Sequence, residues 1–222
     1  MLYQHSLVEP KDDAKVMKKS SHAPENLPLE TVKSGDLKNQ GKLAITIDHN
    51  AAVKLVPASD EQLGIEYAKE LYEVSMKQQE DVWNIHIAYR GEYSKYPSAV
   101  LHIPSMQYEE VSLQANEATV YLQQVFPDCV NLKAEMKDAT TFYELPYNLR
   151  GEVNMAVSSG YLELSSADEY RNSNITIRNV SAKGEISDKF QEDNHQLKYA
   201  QGTKAGFVNI DFQNSGYLII KE

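Results

Sequence analysis

From Leu43 onward, apolar and polar residues alternate in short runs. Leu43-Ala44-Ile45-Thr46-Ile47 and Val53-Lys54-Leu55 open the series. Leu63-Gly64-Ile65-Glu66-Tyr67, then Leu71, Val74 and Met76, then Val82-Trp83-Asn84-Ile85-His86-Ile87 continue it. A period of two puts every second side chain on one face, so these runs predict strands with one face buried. Residues 48–52, 57–62 and 78–81 are short polar connections of hairpin length, so residues 43–98 read as an N-terminal antiparallel β unit. The stretch 68–71 has the composition of a helical turn but is too short to be an element. Residues 1–42 are different. Lys18-Lys19-Ser20-Ser21, Pro24, Pro28 and few large apolar residues predict a linker or loosely ordered arm, with residues 2–8 and 28–32 as its only strand-like stretches. A turn-rich junction around Arg90-Gly91, Tyr93, Tyr96 and Pro97 closes the first region.

Beyond the junction the alternation becomes a repeat, assigned to residues 99–222. Val111/Leu113, Val130/Leu132, Val153/Met155, Ile175/Ile177 and Leu197/Tyr199 recur at a spacing of roughly 22 residues. A second pair follows in each unit: Val120/Leu122, Tyr143/Leu145, Leu162/Leu164, a shortened Gly184-Glu185-Ile186, and Val208/Ile210. Asn214-Ser215-Gly216-Tyr217-Leu218-Ile219-Ile220 begins a last, partial unit. From the third unit a glycine precedes the second strand (Gly160, Gly184, Gly206), and it is expected to supply a positive φ at a corner. Periods of this length signal stacked units that cannot bury their apolar faces alone. The fold class is therefore all-β, a short right-handed β-solenoid of roughly 22-residue coils behind the antiparallel unit. An antiparallel β-sandwich satisfies the same strand spacing and is the alternative. The solenoid requires Val111, Val130, Val153, Ile175 and Leu197 to stack as neighbouring rungs.

The motifs also carry a family resemblance over roughly residues 43–222. Ala99-Val100-Leu101-His102-Ile103-Pro104, then Val111-Ser112-Leu113, then turns such as Ser159-Gly160-Tyr161-Leu162-Glu163-Leu164, resemble the bacterial "putative adhesin" domains of unknown function. The alternation over 45–56, 65–67 and 83–87 is similar to that family's opening strands. The first two coils depart from the pattern, having no glycine near Thr119 or Thr140. The resemblance implies an envelope-associated or surface-exposed bacterial protein, held by a segment outside the repeat, and it implies no catalytic residues.

Charge narrows the partners. The chain has 22 basic and 32 acidic residues and a net charge of −10. Residues 1–42 are nearly neutral, so residues 43–222 carry the negative charge and repel phosphate backbones. No nucleic acid is expected as a partner. Fourteen Tyr against five Phe and one Trp suit half-buried strand positions. No run of about 18 apolar residues marks a membrane span, and residues 1–10 are too polar for a signal peptide. Localisation is expected to be extracytoplasmic or at the cell surface, with any export or anchor segment outside this sequence.

Candidate chemistry dissolves residue by residue. His86 and His102 sit between apolar neighbours and are expected to face solvent, and His5 and His22 fall in the arm. Asp188, Glu192, Asp193 and His195 share a loop but lack the spacing of a calcium loop, and Asp48-His49-Asn50 reads as a turn. Cys129 has no CxxC partner and reads as a buried thiol. Ser158-Ser159-Gly160 is a repeat corner rather than a nucleophile elbow. No catalytic, cofactor-binding or metal-binding residue is assigned, and no cofactor. Tyr89, Tyr93 and Tyr96 form the one candidate stacking surface, against a covering role at the core's end. The reading is a non-catalytic, adhesin-like scaffold for a protein or glycan ligand. An extracytoplasmic sensor part of a membrane protein and a carbohydrate-active β-helix are the alternatives. The apolar Tyr217–Ile220 strand is expected at an edge, where it would mediate self-association unless residues 1–42 cover it.

Overall fold

The computed structural model describes residues 28–33, 41–91, 99–167, 169–171, 173–200 and 206–221. The described chain is all-β, in two mixed sheets. The strands, in chain order, are β1 (Leu29–Lys33), β2 (Lys42–Asp48), β3 (Ala52–Pro57), β4 (Gly64–Ala68), β5 (Tyr72–Gln79), β6 (Val82–Tyr89) and β7 (Ala99–Ile103). They continue as β8 (Tyr108–Asn116), β9 (Thr119–Gln123), β10 (Cys129–Lys137), β11 (Thr140–Leu145), β12 (Glu152–Ser158) and β13 (Gly160–Ser166). The last six are β14 (Ser173–Arg178), β15 (Ala182–Ile186), β16 (Gln191–Asp193), β17 (Gln196–Tyr199), β18 (Gly206–Phe212) and β19 (Gly216–Ile220).

Seven pairs of consecutive strands act as tiers, one strand in each sheet. In space they follow the order β6/β7, β2/β3, β8/β9, β10/β11, β12/β13, β18/β19, β14/β15, and every neighbour along that order is parallel. Alternate residues of each strand point inward, and they form one continuous apolar core from Leu43 to Ile220. Within β8–β13 the registers advance in equal steps. Val111 registers with Leu132 and Leu132 with Val153, while Val120 registers with Thr141 and Thr141 with Leu162, so both sheets advance by the same step in sequence.

With that register Val111, Val130, Val153, Ile175 and Leu197 do not stack as the neighbouring rungs expected of them, and several expectations are corrected. Val130 does not stack on Val111; it is 56 % exposed and Leu132 takes the inward position. Cys129 and Leu132 both point inward, so the alternation slips between them. The second pair of that tier is Thr141/Tyr143, not Tyr143/Leu145, because the inward Thr141 is polar and hid the phase. Leu197/Tyr199 is no tier at all: β17 runs antiparallel to β14 and covers the end of the ten-stranded sheet. Ile175 does not neighbour Val153 either, because Val208 lies between them.

The region 43–98 is likewise not an antiparallel unit. β2 is parallel to β6 and to β8, and β3 is parallel to β7 and β9, so two tiers precede the expected start of the repeat. Only β4 and β5 run antiparallel there, with β1, from within residues 1–42, added outside β4. The Tyr217–Ile220 strand is not an edge. β19 pairs with β13 on one side and β15 on the other, which removes the edge route to self-association.

Corner chemistry also differs from expectation. The positive φ sits one residue before the second strand's start or its preceding alanine, at Glu117 (49°), Asp138 (49°) and Ser159 (59°), and not at Gly160. At this position Glu117 N donates to Lys137 O and Asp138 N to Ser158 O, so the ladder turns the corner unbroken. Gly160 answers to proximity instead. Its counterparts one and two tiers back are Ala139 and Ala118, and a Cβ at Gly160 would lie 2.4 Å from Ala139 O. Gly151 is tighter still, with a Cβ position 1.4 Å from Cys129 O.

The two ends are closed differently. At the β6/β7 end, hydrogen-bonded strands extend both sheets. At the β14/β15 end, the β16–β17 hairpin extends one sheet, and Tyr170, Phe190 and Tyr199 cluster at centroid distances of 5.4–5.9 Å. Tyr170 Oη donates to Leu164 O (3.2 Å) and to Lys221 O, tying this cluster to the last tier. Of the tier strands only β15 is left as an edge; it is short, irregular in register and carries exposed Lys183 and Glu185. Such an edge is a poor template for another chain.

Candidate binding face

The outward side chains of the nine-stranded sheet give the molecule its most distinctive surface. Alternation that buries Val120, Leu122, Leu162, Leu164, Leu218 and Ile220 turns Tyr121, Phe142, Tyr161 and Tyr217 outward. Tyr121 and Phe142 stack at 4.7 Å and 6°, Phe142 and Tyr161 sit 5.7 Å apart at 55°, and Tyr161 and Tyr217 stack at 5.9 Å and 11°. Lys54 Nζ lies 5.8 Å from the Tyr121 centroid, a cation–π contact that covers the row's first ring. Tyr217 is 41 % exposed at the other end. The rings spend much of their faces on one another, so the row offers ligand chiefly its edges and its exposed last ring.

Charged groups flank the row in pairs. Tyr161 Oη donates to Glu163 Oε2 (2.8 Å), and Lys221 Nζ donates to Glu163 Oε1 (2.7 Å). Burial first, and the Glu163 contact second, push the Tyr161 phenol up to about 12. For Glu163, partial burial works upward, but Lys221 and Tyr161 outweigh it and hold the carboxyl below its ordinary range. Glu163 is thus a fixed anion rather than a proton carrier. Further along, Gln124 Nε2 donates to Glu144 Oε1 at 2.5 Å.

The same face ends in a small pocket of about 80 Å³ between β1, β4 and β7, lined by Lys33, Asp60, Gln62, Glu66 and His102 among others. Lys33 Nζ and Asp60 Oδ2 are 2.8 Å apart, and Lys33 holds the Asp60 carboxyl low. His102 Nε2 is 3.6 Å from Glu66 Oε1 and has no hydrogen-bond partner among the described residues.

The residues weighed from sequence fall apart in space. His86 and His102 belong to different sheets, and His86 Nε2 lies 3.1 Å from Asp48 Oδ2. Glu192 and Asp193 lie in strand β16 rather than a loop, and pair with Lys183 (2.6 Å) and Lys198 (3.1 Å). Among the described residues no group of three or more possible metal ligands occurs. His49 and Asn50 form a positive-φ turn, as Ser159 forms a corner. Cys129 is buried, and burial pushes its thiol up to about 11. Tyr89 is buried edge-on to Tyr72 and covers the core's end, while Tyr93, Tyr96, His5 and His22 lie outside the described residues. The aromatic row escaped the sequence reading, although Tyr121 and Phe142 register directly across β9 and β11, one period apart.

No family model and no curated protein matches the chain. Solved structures do. One described as a "putative cell adhesion protein" from Clostridium sporogenes ATCC 15579 superposes with a TM-score of 0.57 at 11 % identity, over 87 % of this chain and 99 % of that one. A "putative adhesin" from Bacteroides fragilis NCTC 9343 gives 0.34 at 11 % identity over 88 % and 98 %. Another from Parabacteroides distasonis ATCC 8503 gives 0.27 at 9 % over 87 % and 97 %. The Clostridium similarity shows a shared fold over nearly the whole of both chains. Among the described residues no helix is long and apolar enough to cross a membrane.

Proposed function

We propose that this chain is a non-catalytic, adhesin-like binding module of the bacterial cell surface or envelope, a β-solenoid that presents the outer face of its nine-stranded sheet to a ligand. The observation that carries the reading is the aromatic row Tyr121–Phe142–Tyr161–Tyr217 with its flanking Lys54, Glu163 and Lys221, held on β9, β11, β13 and β19, each of which is paired on both sides. Such a face is rigid before it binds, so little ordering entropy is lost on contact. The fold shared with the Clostridium structure supports the same direction, and that protein's description supplies the word adhesion. Carboxylates here sit against lysines, an arrangement suited to recognition more than to proton transfer.

The test is binding of the chain to immobilised glycans and cell-surface proteins, with Tyr217→Ala alongside. Tyr217 is the exposed end of the row, so its loss should leave the fold intact and weaken binding about fivefold to tenfold. Turnover of a bound glycan, or binding indifferent to both Tyr217→Ala and Lys54→Ala, would overturn the proposal.

A further inference from the structure

We propose that the fold is built to carry tensile load between its two chain ends. The first tier in chain order (β2/β3) and the last (β18/β19) are each second from an end of the stack, not outermost. β2 registers against residues 82–88 on one side and 110–115 on the other, and β3 is held by β7 and β9. β18 lies between β12 and β14, and β19 between β13 and β15. The outermost tiers come from the chain's interior, and β4, β5, β16 and β17 are laid over them.

This order reverses what a simple stack would do. In a stack that follows the sequence, the terminal unit is outermost, touches one neighbour, and peels away one hydrogen bond at a time. Here a pull on either end reaches a strand with ladders on both edges. Withdrawing it breaks both ladders of both sheets together, and Leu43, Ile45, Val208, Ile210, Leu218 and Ile220 leave the core in the same event. Only β1 is exposed to peeling, since it pairs with β4 alone. Whatever precedes Leu29 or follows Ile220 therefore attaches, directly or through β1, to a clamped tier. The inference needs no assumption about what the outer face binds.

Two measurements on the full chain test it. In native hydrogen exchange, β18 and β19 should exchange as slowly as β12 and β13, and more slowly than the bare edge β15. Exchange of β18 and β19 ahead of β15 would overturn the clamp. In single-molecule stretching through both ends, a first small release of residues 29–41, about 45 Å, should precede one event on the order of 600 Å that frees residues 42–220. A staircase of steps of about 75 Å, one tier at a time, would overturn it. Moving the handles to exposed Gln79→Cys and Glu192→Cys loads the outer strands β5 and β16, and rupture force should drop. An unchanged rupture force there would count against a clamp specific to the chain ends.

Discussion

The middle tiers and the end tiers use the same strand pattern but differ in how their neighbours are chosen. From β8 to β13 each tier lies on the one before it in sequence, and the corner bonds run from Glu117 to Lys137 and from Asp138 to Ser158 without interruption. At the C-terminal end the chain skips one place to lay β14/β15, makes the β16–β17 cap, and then fills the gap with β18/β19. At the N-terminal end it lays β2/β3, then β4 and β5, then β6/β7 in the outer place, and crosses back to β8/β9. β18 pairs with β12 only after the chain has laid down everything from β13 to β17. The middle is thus easy to close entropically, because each contact forms a short loop, whereas the ends must first pay the closure of long ones. In return, neither terminal tier is left at an edge. Until residues 206–220 arrive, the β12/β13 edge is open or occupied by β14/β15 out of place. The C-terminal tier is therefore expected to be a late step in folding.

The strongest way to break this comparison is to ask whether an end tier is worth as much as a middle one. Leu162 and Leu218 are both fully buried and register with each other across β13 and β19. Leu162→Ala and Leu218→Ala should each cost about 2–5 kcal/mol by denaturant unfolding, because each leaves a cavity between two tiers. Ile186→Ala, in the half-buried edge strand β15, should cost roughly 1 kcal/mol. A Leu218→Ala cost close to that of Ile186→Ala would mean the last tier is frayed and the ends are not equivalent to the middle.

How much of this could be read from sequence follows the same division. Val111, Val153, Val120 and Leu162 marked their tiers because each is apolar, inward and one or two periods from its partner. Val130 misled because Cys129, Val130 and Leu132 allow two phases of alternation, and only a partner strand chooses between them. Thr141 was invisible as a core position since patterning reads a hydroxyl as solvent-facing. The order of the end tiers left no mark at all: Ile175 stands one expected period beyond Val153 and alternates as any neighbour would, yet β18 separates them. Parallel pairing has no local signature, so an insertion between tiers cannot be seen in the pattern of either. The all-β class was legible, whereas the outward aromatic row was not. Tyr161 and Tyr217 stack although all of β14 to β18 intervenes in the chain, and that separation is set by the same insertion.

Alkaline pH should separate middle from ends with a smaller effect. Cys129, at the start of β10, has its thiol raised from 9.0 to about 11 by burial, and buried Tyr108 and Tyr143 are raised by the same cause. The unfolded chain gives up the thiol proton first, so it binds fewer protons than the native state above about pH 9. Stability is then full below the unfolded value and falls as pH rises toward about 11, by about 2–3 kcal/mol for Cys129 alone. Urea midpoints at pH 8 and 10.5 would show the decline, and Cys129→Ala should flatten part of it. A profile unchanged by Cys129→Ala would take the alkaline weakness away from the thiol and leave buried Tyr108 and Tyr143 as the middle-tier groups to test.

The smallest expected effect is a gain, and it tests whether the middle is as well satisfied as its regularity suggests. Thr141 is 1 % exposed, and its Oγ1 has no hydrogen-bond partner among the described residues; the Tyr143 hydroxyl two positions on is in the same condition. Both lie in β11, the central tier, with Val120, Leu122, Leu162 and Leu164 at the matching positions on either side. A buried hydroxyl without a partner has given up its bonds to water for nothing. Thr141→Val keeps the side chain's shape while matching those neighbours, so it should raise stability by about 1 kcal/mol, and Tyr143→Phe should do the same. If either variant instead lowers the urea midpoint, its hydroxyl is bonded to water enclosed between the tiers. The middle would then be held by a polar contact inside its core as well as by the stacking of apolar side chains, as the β14/β15 end already is where buried Tyr170 donates to Leu164 O and Lys221 O.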